Sequence, residues 1–370
     1  MRDNLTYISL KEFMRIIIFT LIVSLIFVSC GEDEQKNAVF VKIDTGNDFS
    51  IALDSDGGLW IWGENTGGFL GDGTFEDITR PKRIGDHYTD AAAGFDFIVA
   101  LKTDGSVWAW GENWGGQVGD NTNVDKTLPV KVGENFKDVD AGLSHTLAIK
   151  NDGSLWGWGA MAEMGSKFVP EQITTGFIEV SAGFAYNLGL KSDGTLWSWG
   201  NNFKGRLGDG STENNFTPHQ IGSGYSAIST GSSHGIALKI DGTLWTWGNN
   251  ELGQLGDGTL EDKLVPTMIG GGFSKVPTGT FTQNTASIKT DGTLWAWGSS
   301  NGMFGNESSG AMKTPVNMNQ NGFTQIAFSG HAIALKADGS LWAWGLNTSG
   351  QVGDGTLVNR FTPVQIIVHY

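Results

Sequence analysis

The octapeptide DGTLWAWG, Asp291 to Gly298, is one of seven near copies in the chain, and no other feature restricts the fold so tightly. The others are DGGLWIWG (from Asp56), DGSVWAWG (Asp104), DGSLWGWG (Asp152), DGTLWSWG (Asp193), DGTLWTWG (Asp241) and DGSLWAWG (Asp338). Successive copies lie 48, 48, 41, 48, 50 and 47 residues apart, and 14 of the 15 tryptophans fall inside them; Trp114 is the exception. A period of this length marks an array of supersecondary units that bury their apolar faces only against one another. With 55 glycines and 17% charged residues, the chain is too aromatic for disorder and too glycine-rich for a helical protein.

Each copy follows a short apolar run, such as SIALD, IVALK, TLAIK or AIALK. Strand, Asp-Gly and strand again predict a hairpin with a type I′ turn, in which Asp56 and Gly57 take the two central positions. That register sets Ala52 opposite Ile61, Leu53 opposite Trp60 and Ile51 opposite Trp62. Every hairpin then has a bulky, indole-bearing face and a slim one, and the bulky face of each unit presses on the slim face of the next. An indole buries on the order of 200 Å², roughly 5 kcal/mol gross at about 25 cal/mol per Å², so these side chains dominate the core.

Upstream of each hairpin lie segments such as FVKIDTG, FKDVDAG and FIEVSAG. Downstream, after a glycine-rich loop, come RPKRIG, LPVKVG, VPEQIT, TPHQIG, VPTMIG, TPVNMN and TPVQII, whose proline suits an outer strand. Four strands in about 47 residues make a propeller blade, and closing the array into a ring removes its two exposed ends. The expectation is an all-β, seven-bladed β-propeller over residues 39–370, with four antiparallel strands per blade.

The order of inner strand, corner, DGxLWxWG, the loop typified by NxxGQLGDGT and the Pro-containing strand resembles the regulator of chromosome condensation repeat, a family of seven-bladed propellers. The resemblance covers nearly all of the chain past residue 38. It implies a scaffold that works through protein contact. Members include a nucleotide exchanger on a small nuclear GTPase and secreted inhibitors of β-lactamase. Neither role carries over: the first needs a nuclear partner, and the second rests on aromatic loop contacts that cannot be matched here residue by residue.

The first 30 residues differ from the rest. Ile16 to Val28 is a 13-residue apolar run behind Arg15, too short to span a bilayer and of the length of a signal-peptide core. It ends in FVSC, which resembles a lipobox and marks Cys30, the only cysteine, as the lipid attachment site. Residues 1–29 are therefore expected to form a lipoprotein signal peptide, with Met14 an alternative start. Residues 30–38, beginning CGEDEQKN, form an acidic tether. Acidic residues directly behind the cysteine also resemble surface-export signals. The expected location is the cell envelope, lipid-anchored at the outer membrane and facing either the periplasm or the outside. Net charge is −15, so the surface repels phosphate backbones and nucleic acid is not an expected partner.

Seven residues before each turn aspartate stand Phe49, Phe97, His145, Tyr186, His234, Asn284 and His331. The resemblance places this corner toward one mouth of the ring, which makes these residues a candidate partner-contacting ring; the alternative is that they only tie adjacent blades together. The three histidines belong to units three, five and seven, so no shared metal ion is expected. Asp72, Asp120, Asp209, Asp257 and Asp354 recur in the glycine loops, where each offers one carboxylate, fewer than calcium usually takes. Turn chemistry is the expected role. Unit three lacks this loop and reads GAMAEMGSKF, a shortened rim carrying Met161 and Met164. Trp114 stands outside the repeat phrase as a candidate exposed aromatic.

No nucleophile elbow, zinc-binding HExxH or phosphate-cradling loop occurs in the sequence. The reading is a lipid-anchored, monomeric, extracytoplasmic propeller without catalytic activity, cofactor or metal, acting as a protein–protein interaction platform for a partner yet to be identified. The alternative is a glycan-binding or accessory component of a surface polysaccharide system, for which Trp114 would stack on sugar.

Overall fold

A computed structural model describes residues 37–161, 165–279, 283–299, 304–305 and 310–369. The leader at 1–29, Cys30, the tether as far as residue 36 and Met164 lie outside the described residues. Asn37, Ala38, Val368 and His369 belong to one small unit, in which Asn37 bridges His369 and Ala38 N donates to Val368 O at 2.9 Å. The other unit, Val39–Ile367, holds seven four-stranded antiparallel sheets.

In blade 1, β1 (Phe40–Thr45), β2 (Phe49–Asp54), β3 (Leu59–Gly63) and β4 (Ile78–Gly85) pair in sequence order from the centre outward. The same order repeats in blades 2 (88–133), 3 (136–175), 4 (177–222), 5 (225–270), 6 (273–317) and 7 (323–366). Blade 7 packs against blade 1 and closes the ring, although no sheet shares a strand across that joint. Blade 3, which lacks the glycine loop, passes directly into a long outer strand, Ser166–Thr175.

The hairpin register differs from the sequence expectation by one residue. Asp54 N donates to Gly58 O and Gly57 N to Asp54 O, and of residues 55–57 only Gly57 takes a positive φ (81°). This is a three-residue loop closed by a glycine bulge, where type I′ would need positive φ at Asp56 as well. Ala52 therefore faces Trp60, Ser50 faces Trp62 and Ile51 faces Ile61. The small β2 residues lie on the same side as the indoles and make room for them. In blade 5 a side chain on Gly235, opposite Trp247, would come within 2.3 Å of the ring. The other side is aliphatic: Ile51, Leu53, Leu59 and Ile61 of blade 1 pack against Tyr88, Ala100 and Trp110 of blade 2. Indole faces do nest on the neighbouring blade, but what they meet is an aliphatic side rather than a slim one.

The repeat phrase is explained by its hydrogen bonds. Asp104 Oδ1 accepts from Ser106 N and Oγ, and Ser106 Oγ accepts from Trp108 Nε1 at 2.9 Å. The same chain runs through Asp193, Thr195 and Trp197, and through Asp241, Thr243 and Trp245. The lysine closing the preceding strand covers the outer face of the first indole, as with Lys289 over Trp295 at 3.8 Å. Blade 1 has Gly58 for the hydroxyl residue and Asp54 for the lysine. There Trp60 Nε1 donates to Asp54 Oδ2 at 2.8 Å, and Arg83 stands over the ring.

Candidate interaction surface

The seven corner residues are buried between blades, none more than 4% exposed. In this conformation they offer no surface to a partner. His145 Nε2 meets the Asn187 amide at 2.6 Å, His234 Nε2 meets Thr285 Oγ1 at 2.8 Å, and His331 Nε2 meets Ser50 Oγ at 2.6 Å. Each histidine thus bonds the residue after the next blade's corner residue. Tyr186 continues the ring with its hydroxyl on Gly231 O at 2.9 Å. Burial depresses His234 to about 4 and His331 to about 3, so both are neutral at physiological pH.

The glycine loops seal the ring. A side chain on Gly71 would strike Trp110 of the next blade, and Gly208 stands likewise to Trp247 and Gly353 to Trp62. The loop aspartates are committed to their own loops. Asp72 accepts from Thr74 N and Oγ1 and from Asn65 Nδ2, and pairs with Lys82 at 2.7 Å. Asp120 pairs with Lys126, Asp257 with Lys263 and Asp354 with Arg360. Where blade 3 has no such loop, Met161 packs against Trp199 of blade 4. With the Asn187 amide nitrogen on His145 Nε2, its oxygen accepts from Trp199 Nε1 at 3.0 Å, replacing the loop carbonyl that serves Trp62 and Trp247.

At the centre of the ring lies a cavity of about 170 Å³ with a charged wall. Lys42 of blade 1 pairs with Asp90 of blade 2; Asp138 and Glu179 follow on blades 3 and 4, and Asp44 and Asp140 lie two residues further along their strands. Asp44 and Asp140 also tie blades together, accepting Ala93 N at 2.9 Å and Ala182 N at 2.7 Å. On the opposite side Pro277 ends the inner strand of blade 6, and Thr278 reaches across to pair with Ala327 of blade 7 and to donate to Ile43 O of blade 1. Burial pushes Asp44 up to about 6, and burial with the Asp90 charge pushes Asp138 up to about 7.

Asp138 gives a pH prediction. Its ordinary value is 3.8 and its folded value about 7, so the folded state holds a proton between these values that the unfolded state has lost. The charge therefore costs stability above pH 7, and the cost fades as pH falls toward 4; Asp90, Glu179, Lys42 and Lys137 are the other charges acting on it. Asp138→Asn should melt roughly 3 °C higher than the parent at pH 8 and within about 1 °C of it at pH 4.5 by calorimetry.

The mouth where β1 turns into β2 carries the exposed side chains with recognition chemistry. Corner loops and the loops after each WxWG lie side by side here: Glu64 N donates to Asp48 O, Glu112 N to Asp96 O and Asn201 N to Ala185 O. Over blades 1 and 2 this brings together Asp48, Glu64, Asp96 and Glu112. Burial, then the charges of Glu112, Glu64 and Asp48, raise Asp96 to about 7. Trp114 is 57% exposed and lies beside the Glu112 carboxylate. Across blade 3, blade 4 offers Phe184 (40% exposed) and Phe203 (56%). Beneath them the buried Arg206 donates Nη1 to Phe184 O at 2.6 Å and Nε to Phe203 O at 3.2 Å. Arg206 stands where blades 2, 5 and 7 have Gln117, Gln254 and Gln351, a departure visible in the sequence. Phe184 and Phe203 were also legible, since Phe203 occupies the loop position of Trp114 and Phe184 that of Phe95.

Comparison with known families and structures fits this geometry. The family model described as RCC1-like domain matches residues 27–278, and that of the regulator of chromosome condensation (RCC1) repeat matches residues 338–368. No curated protein matches the sequence. Human WBSCR16 superposes with a TM-score of 0.74 at 20% identity, over 84% of this chain and 93% of its own. Yeast RCC1 (Prp20), solved bound to Kap60, gives 0.74 at 21% identity over 90% and 86%. Prp20p from Saccharomyces cerevisiae, described with its binding properties to Gsp1p and histones, gives 0.74 at 20% identity over 89% and 87%. At these identities the likeness is one of fold.

Proposed function

The chain belongs to the RCC1-like domain family, and from that premise we propose that it is a lipid-anchored, extracytoplasmic platform that acts by binding another protein rather than by catalysis. The observation that carries this reading is the contrast between a committed interior and an aromatic, acidic mouth. Corner residues are occupied in holding blades together and loop aspartates in bracing their own loops, while Trp114, Phe184 and Phe203 stand exposed on loops of the ring. Large exposed aromatics on a preorganised scaffold are what protein recognition uses. Among structural relatives, yeast RCC1 was solved bound to Kap60, in keeping with a fold that serves protein contact.

Anchoring rests on the 13-residue apolar run and on Cys30. Expressed in a Gram-negative host with labelled palmitate, the parent should incorporate label and sediment with the outer membrane. Cys30→Ser should lose the label and appear in the soluble fraction. Equal labelling of both proteins would refute the anchor and leave the platform untouched.

A further inference from the structure

We infer that the mouth over blades 1–4 docks a basic segment of a partner protein, with lysine or arginine side chains on the acidic half and apolar side chains on the aromatic half. This rests on the platform reading and adds to it a face and a partner chemistry.

The two halves are contiguous. Trp114 lies beside Glu112 in blade 2, and the Gly115 that follows it abuts Ala160 of blade 3. Leu143 N of blade 3 donates to Gly183 O, next to Phe184, which Arg206 joins to Phe203. Unit three is shorter than its neighbours by the length of the glycine loop, so blade 3 brings no such loop to this mouth.

Charge selects the occupant. Asp48, Glu64 and Glu112 are close enough to Asp96 to raise its proton affinity, so a cation placed among them relieves repulsion as well as gaining attraction. On the aromatic side the half-buried Lys204, beside Phe203, is already paired with Glu251 at 3.1 Å and Asp262 at 3.2 Å. A net charge of −15 steers basic partners toward the ring as a whole. The indole and phenyl faces supply flat apolar contact and also receive guanidinium groups. Neutral glycans would use the aromatics and leave the four carboxylates without a role.

The test is selection of a phage-displayed library of random 16-residue peptides on the chain, followed by measurement of synthetic winners against variants. Enriched peptides should carry net positive charge and at least one large apolar residue. Their affinity should fall about tenfold or more in Trp114→Ala and in the Phe184→Ala/Phe203→Ala double variant. In Asp96→Asn/Glu112→Gln it should lose most of its salt dependence. The three aromatic side chains are exposed and the two carboxylates half-buried, and cooperative melting at or above the parent's temperature will show that the variants are folded. Neutral or acidic winners, or basic winners indifferent to Trp114→Ala, would overturn the inference; winners mapping elsewhere on the ring would still leave the platform reading standing. Failure to enrich any peptide, with binding on a glycan array abolished by Trp114→Ala, would overturn both.

Discussion

Replacing Trp247 with alanine is expected to cost about 3–5 kcal/mol of folding stability, as for other fully buried tryptophans, whereas Trp245→Ala, two residues earlier, should cost only about 1–2 kcal/mol. The two indoles share a strand and a face, yet their surroundings differ. Trp247 has no exposed surface. It packs among Leu188, Leu196, Leu207 and Ile228 of blades 4 and 5, and donates from Nε1 to Arg206 O at 3.0 Å. Its removal leaves a cavity at the blade joint and an unpaired carbonyl in the loop that seals it. Trp245 is half-buried, covered on its outer face by Lys239 at 4.1 Å and tethered to Thr243. Water and lysine can take up much of what it leaves. Urea denaturation of both variants checks the ratio; equal losses would mean that the inner indole is not the joint between blades.

His331→Ala is expected to be the second large effect, about 2–4 kcal/mol, because it strikes where blade 7 meets blade 1. Among the described residues no sheet contains strands of both blade 1 and blade 7, so this joint depends on side chains and loops. His331 is fully buried on Ser50, whose hydroxyl also donates to Gln351 O at 2.9 Å, while Trp62 Nε1 donates to the same carbonyl at 2.8 Å. The loss should appear as faster proteolysis of blades 1 and 7 in limited digestion. It should also depend on pH. Burial lowers His331 to about 3, so below its ordinary 6.5 the unfolded chain takes up a proton that the folded chain refuses. The parent loses that stability as pH falls, the variant does not, and the gap between them should narrow from pH 7 to pH 4.

How far the sequence led depends on which contacts are local. Seven copies of DGxLWxWG fixed the blade count, the strand number and the ring, because each copy repeats one unit and a ring is the closure that leaves no edge. The register slipped by one because Asp-Gly points to a type I′ turn as readily as to a three-residue loop with a glycine bulge, and only the φ of Asp56 separates them. The roles of Ser106 and Lys102 beneath and above Trp108 follow from that register and could not be seen without it. The corner residues were found by position, but their burial depends on the neighbouring blade, which lies 41 to 50 residues away in sequence. The acidic wall of Asp90, Asp138 and Glu179 likewise exists only once the ring has closed. Trp114 was marked by standing outside the phrase. Phe203 and Phe184 on blade 4 could have been marked by their loop positions, those of Trp114 and Phe95, but that they stand exposed rather than in the core shows only in the fold.

The closed ring is proposed to work through its corner-side mouth. Placing the photo-cross-linking amino acid benzoylphenylalanine at Trp114, at Phe203 and, on the opposite hairpin side, at Asp193 in living cells tests it most directly. The account predicts discrete protein adducts from positions 114 and 203 and none from 193. Adducts from 193 alone, or none at any of the three, would contradict it.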